Sequence, residues 1–508
     1  MNIFSNLMNN TGDWIAGKLA PYINDALGVR YQILGNYYEG NHRPQLKRKD
    51  GQPDDNIMQN YVGLATNRSI SRLFRGGLKF VLPDGADEQQ EYLDKVWDLN
   101  KKEILLMQVG LHGATYGTPY IKICPDELQE PYTGEWYPRL IPIDPEIVRI
   151  RTDAADMNEV EEYRIEYKTK QIDEAGGVRE IGHRELTKRI EAPEVKGDYE
   201  PKPDSWVIEE WEQGTIYGNI WTLVSSTPWE YDFPPIIHWK NLPSLKSCYG
   251  NDDESDGINI QDKSNFVVSN TGKIIKFYAH PETIMTGASV GDLKEVPSSV
   301  GVLRAISNPE AKVYNLEMGS DLASSRAFAL DLRQSIFDVA REVDISSMAD
   351  KLGALTNFGL QVLWSDAMDK TNTKRQLYGD AILELNRRLL VLADYTMEAS
   401  NPGTLQWGDP LPVNIMEEMT ADEKALSMGV VDKETVAKRY ESRYGKKWED
   451  IKAALEEQQA ADNKNNANIG AEILKRFSQG GGVEMPTKQG IMNQQKEMIN
   501  GNKPNTTR

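Results

Sequence analysis

The stretch from Asp253 to Glu398 constrains this chain more than any other. It reads as helix, β-rich insert, helix, short apolar loop and one very long helix. In the second helix, 321–343, the residues Leu322, Ala329, Leu332, Ile336, Val339 and Val343 fall near one face at helical spacing. The loop from Ile345 to Asn357 has too little period to continue that helix. No proline interrupts 366–398, where Leu377, Ala381, Leu385, Leu389, Leu392 and Thr396 line one stripe. At ~1.5 Å rise per residue this last helix is roughly 50 Å long. Two helices joined by an apolar loop suit a moving or pore-lining device, and equally a plain helical hairpin.

Towards the N-terminus, the pattern of Trp14, Ile15, Leu19, Tyr22, Ile23, Ala26 and Leu27 predicts helix within 13–38. Helix is expected again over 56–74, with Ile57, Val62, Ala65, Ile70 and Leu73 inward, and then a turn and short strand over 75–83. A helical hairpin follows over 89–113. The period then changes to two: runs such as Tyr163–Lys168, Trp206–Glu212 and Ile220–Ser225 predict antiparallel strands from 116 to 239, interrupted by a proline-bearing loop over 191–204. Asp252, Asp253, Glu254 and Asp256 form an acidic start to a helix over 257–277, in which Ile258, Phe266, Val267, Ile274 and Ile275 are the apolar members. Short strands are expected at 283–285, 300–303 and 312–316. Beyond the long helix come an extended 407–413, helices over 417–427, 432–444 and 448–459, and a polar tail over 463–508 read as largely disordered.

Charge and cysteine usage narrow the function classes. The net charge of −19 is the reverse of what a duplex binder needs to neutralise phosphates. It fits solubility, and it fits a surface that keeps passing DNA from sticking. Cys124 and Cys248 support neither a disulfide framework nor a metal site. No secretory signal and no membrane span are expected.

Catalytic signatures are missing. The five histidines have no metal-binding spacing among them, and neither a nucleophile elbow nor a phosphate-cradling Gly-rich loop occurs. The Asp252–Asp256 carboxylates offer oxygen ligands for a divalent cation but lack a calcium-loop pattern, so an acidic helix start is favoured. An alternative of a different class is an acidic metal-dependent hydrolase with carboxylates such as Asp144, Asp153 and Asp156 in the β-region 115–245.

The order of parts is more telling. Asn36-Tyr-Tyr-Glu-Gly-Asn-His42, Asp55-Asn-Ile-Met-Gln-Asn-Tyr-Val62 and Gly76-Gly-Leu-Lys-Phe80 open the chain. A helix pair brackets 282–317, and the Leu352–Leu360 loop leads into a helix bearing Lys374, Arg375, Arg387 and Arg388. Over about 30–400 the chain resembles the portal (head–tail connector) proteins of tailed bacteriophages, of the long-tailed type; Thr356-Asn-Phe-Gly-Leu360 departs from the family's usual loop. The resemblance implies an α+β portal-type fold: a helical and β wing over 1–250, stem helices over 251–281 and 318–344, a β-rich clip over 282–317, a tunnel loop over 345–357, a long wing helix over 358–400 and a helical crown over 401–462. It implies a usually dodecameric ring at one capsid vertex in the virion, assembled in the host bacterial cytoplasm, with no enzyme activity, cofactor or membrane. The ring passes double-stranded DNA for packaging and ejection, and it docks terminase, head–tail adaptor, major capsid and scaffolding proteins. By the same resemblance Met348, Lys351, Leu352 and Leu355 face the DNA channel; Ile284, Met285, Val302, Leu303 and Tyr314 serve clip docking; and Phe266, Ile274, Leu332 and Ile336 build the stem.

Overall fold

The computed structural model describes residues 26–47, 54–172, 178–190, 205–213, 220–279, 283–286, 303–306, 322–346, 357–396, 399–411, 415–444, 448, 450–458, 464 and 469–471. The chain divides into two compact units, 1–411 and 412–508. In the first, helices α1 (Ala26–Tyr38) and α2 (Tyr61–Leu73) lead to strand β1 (Leu78–Val81) and the hairpin α3 (Asp87–Leu99) and α4 (Lys102–Tyr116). Eight strands follow: β2 (Tyr120–Gln129), β3 (Trp136–Ile143), β4 (Val148–Thr152), β5 (Val160–Ile172), β6 (Val178–Ile190), β7 (Ser205–Gln213), β8 (Trp221–Trp229) and β9 (Ile236–His238). Then come α5 (Ile258–Ala279), β10 (Thr283–Thr286), β11 (Leu303–Ile306), α6 (Leu322–Val339), α7 (Asn357–Leu392) and β12 (Thr404–Trp407). The second unit holds α8 (Ile415–Ser427) and α9 (Lys433–Tyr444), which match the helices expected there. Within it the Asp432 carboxylate accepts the Thr435 amide, an N-cap.

The period-two runs form two sheets. One is an antiparallel meander in the order β4-β5-β6-β7-β8; the other is antiparallel in the order β3-β2-β9. Tyr120, Val148, Tyr163, Trp206, Trp229, Phe233 and Ile236 fill the core beneath the meander. A larger core joins α2, α3, α4, β2 and β3 to α7 through Leu73, Val96, Trp97, Val109, Ile121, Ile382, Leu385 and Leu389. Gly113 is required there, because a Cβ would lie 2.0 Å from the Tyr378 hydroxyl. Strand β12 was expected with the crown. Instead it pairs antiparallel with β1 in the first unit, where Gly76, at φ +76°, passes so close to Gly408 that neither position has room for a side chain.

Several expected boundaries move. Helix α7 begins at Asn357 rather than Asp366, and ends at Leu392 because Asp394 turns left-handed (φ 61°) and the Tyr395 amide donates back to the Leu390 carbonyl. At 36 residues it is ~54 Å long. Helix α6 ends earlier than expected in the same manner, with Arg341 at φ 53° and the Glu342 amide on the Phe337 carbonyl. Helix α2 starts at Tyr61, because Asn60 caps it by accepting the Gly63 amide. Ile57, expected inward on that helix, lies on an extended segment and is 41% exposed. The loop over 191–204, the run 312–316 and most of the polar tail lie outside the described residues. No described helix is long and apolar enough to cross a membrane.

Candidate functional site

The helices expected to form a stem, α5 and α6, pack on each other and on α2. The apolar residues of α5 are mostly not the ones it buries. Ile258 is buried, but Phe266 is 37% and Ile275 50% exposed, and Ile274 is half-buried. The buried stripe is Gln261, Asn265 and Ser269, spaced four apart. Its partner is the extended main chain before α2 together with the first two amides of that helix. The Gln261 side-chain carbonyl accepts the Tyr61 and Val62 amides, and its amide donates to the Gln59 carbonyl; Asn265 accepts the Gln59 amide, and the Ser269 hydroxyl accepts the Ile57 amide. A helix face thus acts as the second strand of a ladder for a segment with no strand beside it. The sequence signal was three amide and hydroxyl residues at i, i+4 and i+8. Apolar periodicity does not reveal it, because none of the three is apolar.

At the N-terminal end of α5, Asp252, Asp253 and Glu254 bury their carboxylates, while Asp256 is exposed. Asp252 pairs with Arg30 at 2.5 Å. Asp253 is held by Lys374 (2.5 Å) and Lys370 (3.3 Å), both on α7, and by the Asn241 amide. Burial opposes the Asp253 charge, but Lys370 and Lys374 outweigh it and keep the carboxyl well below the usual carboxylate range. Burial draws the Lys374 ammonium down to about 8 even beside Asp253. Glu254 accepts the hydroxyls of Thr66 and Thr115 on one oxygen; burial, then Asp252, pushes it well above the ordinary glutamate range. These carboxylates are therefore joints between the start of α5 and α1, α7, α2 and α4, not an exposed cation loop.

A second set of charges clamps the chain just before the expected tunnel loop. Arg72 grips Glu342 through two guanidinium nitrogens and donates a third hydrogen bond to Thr371 on α7. Arg68 donates to the Val343 carbonyl, Arg333 pairs with Asp344 at 2.8 Å, and Lys370 donates to the Ala340 carbonyl. Lys374, Arg375, Arg387 and Arg388, the basic residues singled out on the long helix, are each engaged within the chain. Lys374 is fully buried, Arg375 donates to the Leu73 and Gly408 carbonyls, and Arg387 and Arg388 share Glu384 while lying over the Phe233 ring.

Of the singled-out residues, Ile336 is buried and Leu332 half-buried on α6. Ile284 and Met285 lie on β10, which pairs in parallel with β11, where Leu303 sits; the strand expected at 300–303 runs 303–306 instead. Met348, Lys351, Leu352, Leu355, Val302 and Tyr314 lie outside the described residues. The carboxylates of the hydrolase alternative are engaged in turns. Asp144 accepts the Glu146 amide, Asp153 those of Ala155 and Asp156, and Asp156 that of Asn158. Those amide donors also hold the Asp153 carboxyl below its usual range. Among the described residues no three His, Cys, Asp or Glu side chains converge as a metal site.

No curated protein matches the chain. Among solved structures it is similar to a chain of the virion of a native gene transfer agent particle, at 10% identity over 83% of this chain and 94% of that one. The TM-score is 0.33, a likeness too remote to carry weight. The family described as phage portal protein, SPP1 Gp6-like, matches residues 21–464, spanning the two sheets, α5, α6 and α7. The chain belongs to the SPP1 Gp6-like family of phage portal proteins.

Proposed function

We propose that copies of this chain, usually twelve as implied by the family, close into a ring at one capsid vertex and form the channel through which double-stranded DNA is packaged and ejected. The observation that carries this reading is the clamping of both sides of 347–356. Arg68, Arg72, Arg333 and Lys370 hold the incoming chain at 340–344, and the 36-residue α7 leaving it is anchored in the core. A short segment between two fixed points suits contact with a moving polymer. Met348, Leu352 and Leu355 supply an apolar, weakly adhesive collar, and Lys351 a single cation for transient phosphate contact. The net charge of −19 opposes tight binding of the DNA elsewhere.

Ring closure is supported by apolar side chains left open on the stem helices of the single chain: Phe266, Ile275, Leu322, Phe328, Leu330 and Val339 are each between 37% and 53% exposed. Exposed apolar side chains of this kind are what a neighbouring copy buries. We assign the wing, stem, clip, tunnel loop, long helix and crown to the ranges given above, except that β12 joins the wing. Terminase and head–tail adaptors dock on the clip around Ile284, Met285, Val302, Leu303 and Tyr314, with capsid and scaffolding proteins around the ring. Assembly takes place in the host bacterial cytoplasm, and DNA translocation is driven by the motor, not by this chain.

The test is deletion of 346–357. Rings of normal diameter should form by electron microscopy, while DNA packaging or retention falls sharply. Normally filled heads from that deletion would remove the loop's role.

A further inference from the structure

A sheet edge exposes unpaired main-chain donors and acceptors, and proteins cover or charge such edges to stop stray pairing. Three edges of the two main sheets carry side-chain hydrogen bonds to their main chain. Asn100 accepts the Leu140 amide and donates to the Pro138 carbonyl along β3. Arg388 donates to the Pro234 and Ile236 carbonyls along β9. The Tyr249 hydroxyl accepts the Ile150 amide on β4.

The fourth edge, β8, is different. Among the described residues no hydrogen bond from outside the sheet reaches the main chain of Trp221 to Pro228. The run Ile220-Trp-Thr-Leu-Val-Ser-Ser-Thr-Pro-Trp229 also contains no charge, whereas β4 to β7 each carry charged residues. Ile220, Leu223 and Val224 are 60%, 46% and 57% exposed. The register between β7 and β8 shifts at Val224, so Thr222 and Ser225 share a face opposite Glu212 and Glu210. Glu185 lies on that face too, opposite Glu210 on the other side. Three carboxylates thus stand one and two strands in from the open edge. Lys122 pairs with Glu185 at 2.6 Å, and the His183 imidazole lies 3.6 Å from Glu212. Among the described residues Glu210 receives only the Ser225 hydroxyl.

We propose that β8 is the docking edge for an extended segment of a separate protein, one that alternates Lys or Arg with aliphatic residues. Main-chain pairing supplies the affinity, as in strand addition generally. The basic side chains lie beside Thr222 and Ser225 and reach Glu212 and Glu210, while the aliphatic ones lie beside Trp221 and Leu223 on the other face. A second β8 is a poorer occupant, because 220–229 brings no cation to those carboxylates. This inference is independent of the DNA channel.

The test uses the full-length protein and two synthetic ten-residue peptides of one composition: lysine alternating with valine, and the same residues in two blocks. The alternating peptide should bind at least tenfold tighter, weaken with salt, and slow amide exchange across 221–228. Glu210→Lys with Glu212→Lys, at exposed positions, should cost at least tenfold, and a glutamate–valine alternating peptide should recover binding to that variant. Equal binding of the two lysine peptides, unchanged exchange across 221–228, or self-association through β8 that the alternating peptide does not displace would overturn the proposal.

Discussion

Replacing Asp253 by Asn tests whether the joint between α5 and α7 is held by charge. The Asp253 side chain is 1% exposed, and those of Lys374 and Lys370 are 0% and 4% exposed, so no water takes over when the carboxylate goes. The variant leaves two buried ammonium groups facing a neutral amide. Breaking a buried pair from one side costs about 3–5 kcal/mol. Trp239 reports the event. Its ring lies 5.4 Å from that of Tyr378, whose hydroxyl donates to Asn241, the residue that also donates to Asp253. Urea unfolding followed by tryptophan fluorescence, at fixed protein concentration, should show a lower midpoint with an unchanged slope. The double variant Asp253→Asn with Lys374→Met should regain at least half the loss, since removing both partners leaves less uncompensated charge. A single-variant loss under about 1 kcal/mol, or a double variant no better than the single, would refute the charge argument. The wild-type contribution also has a sign in pH. A carboxyl depressed by folding stabilises above its unfolded value and loses that stabilisation on acidification, so Asp253→Asn should flatten the acid limb.

Gln261→Leu removes the acceptor of the Tyr61 and Val62 amides and the donor to Gln59; it should cost about 2–4 kcal/mol and speed amide exchange at Tyr61 and Val62. His238, buried against Tyr163, is pulled down to about 4, first by burial and then by Arg388 and Lys240. The unfolded chain therefore takes up that proton first as pH falls, and stability should drop by roughly 3 kcal/mol between pH 6.5 and 4, a slope that His238→Gln removes in pH-dependent denaturation.

Much of the fold was legible because its elements are long and periodic. The α3–α4 hairpin, the β-rich middle and the α8 and α9 helices follow from local pattern. The β-meander was legible as strands, though not as an order. The functional elements were read less well. Resemblance selected 345–357 as the loop, yet α7 takes Asn357 into its first turn. Phe266 and Ile275 are apolar members of α5, yet the single chain leaves them open. A residue's own hydropathy does not say whether its neighbour belongs to the same chain or the next.

By itself, the sequence determined where the chain is helix and where it is strand, the absence of familiar catalytic motifs, and an order of parts similar to a portal protein. Those are properties of spacing and composition, which act over a few residues. Only the tertiary structure decided that Asp253 meets Lys374 across 121 positions, that Arg72 closes on Glu342 across 270, and that a polar stripe of α5 serves a strandless segment. Each depends on which surfaces are driven together when apolar area is buried. Once water is excluded, a polar or charged group at such a contact must find its partner there, however distant along the chain.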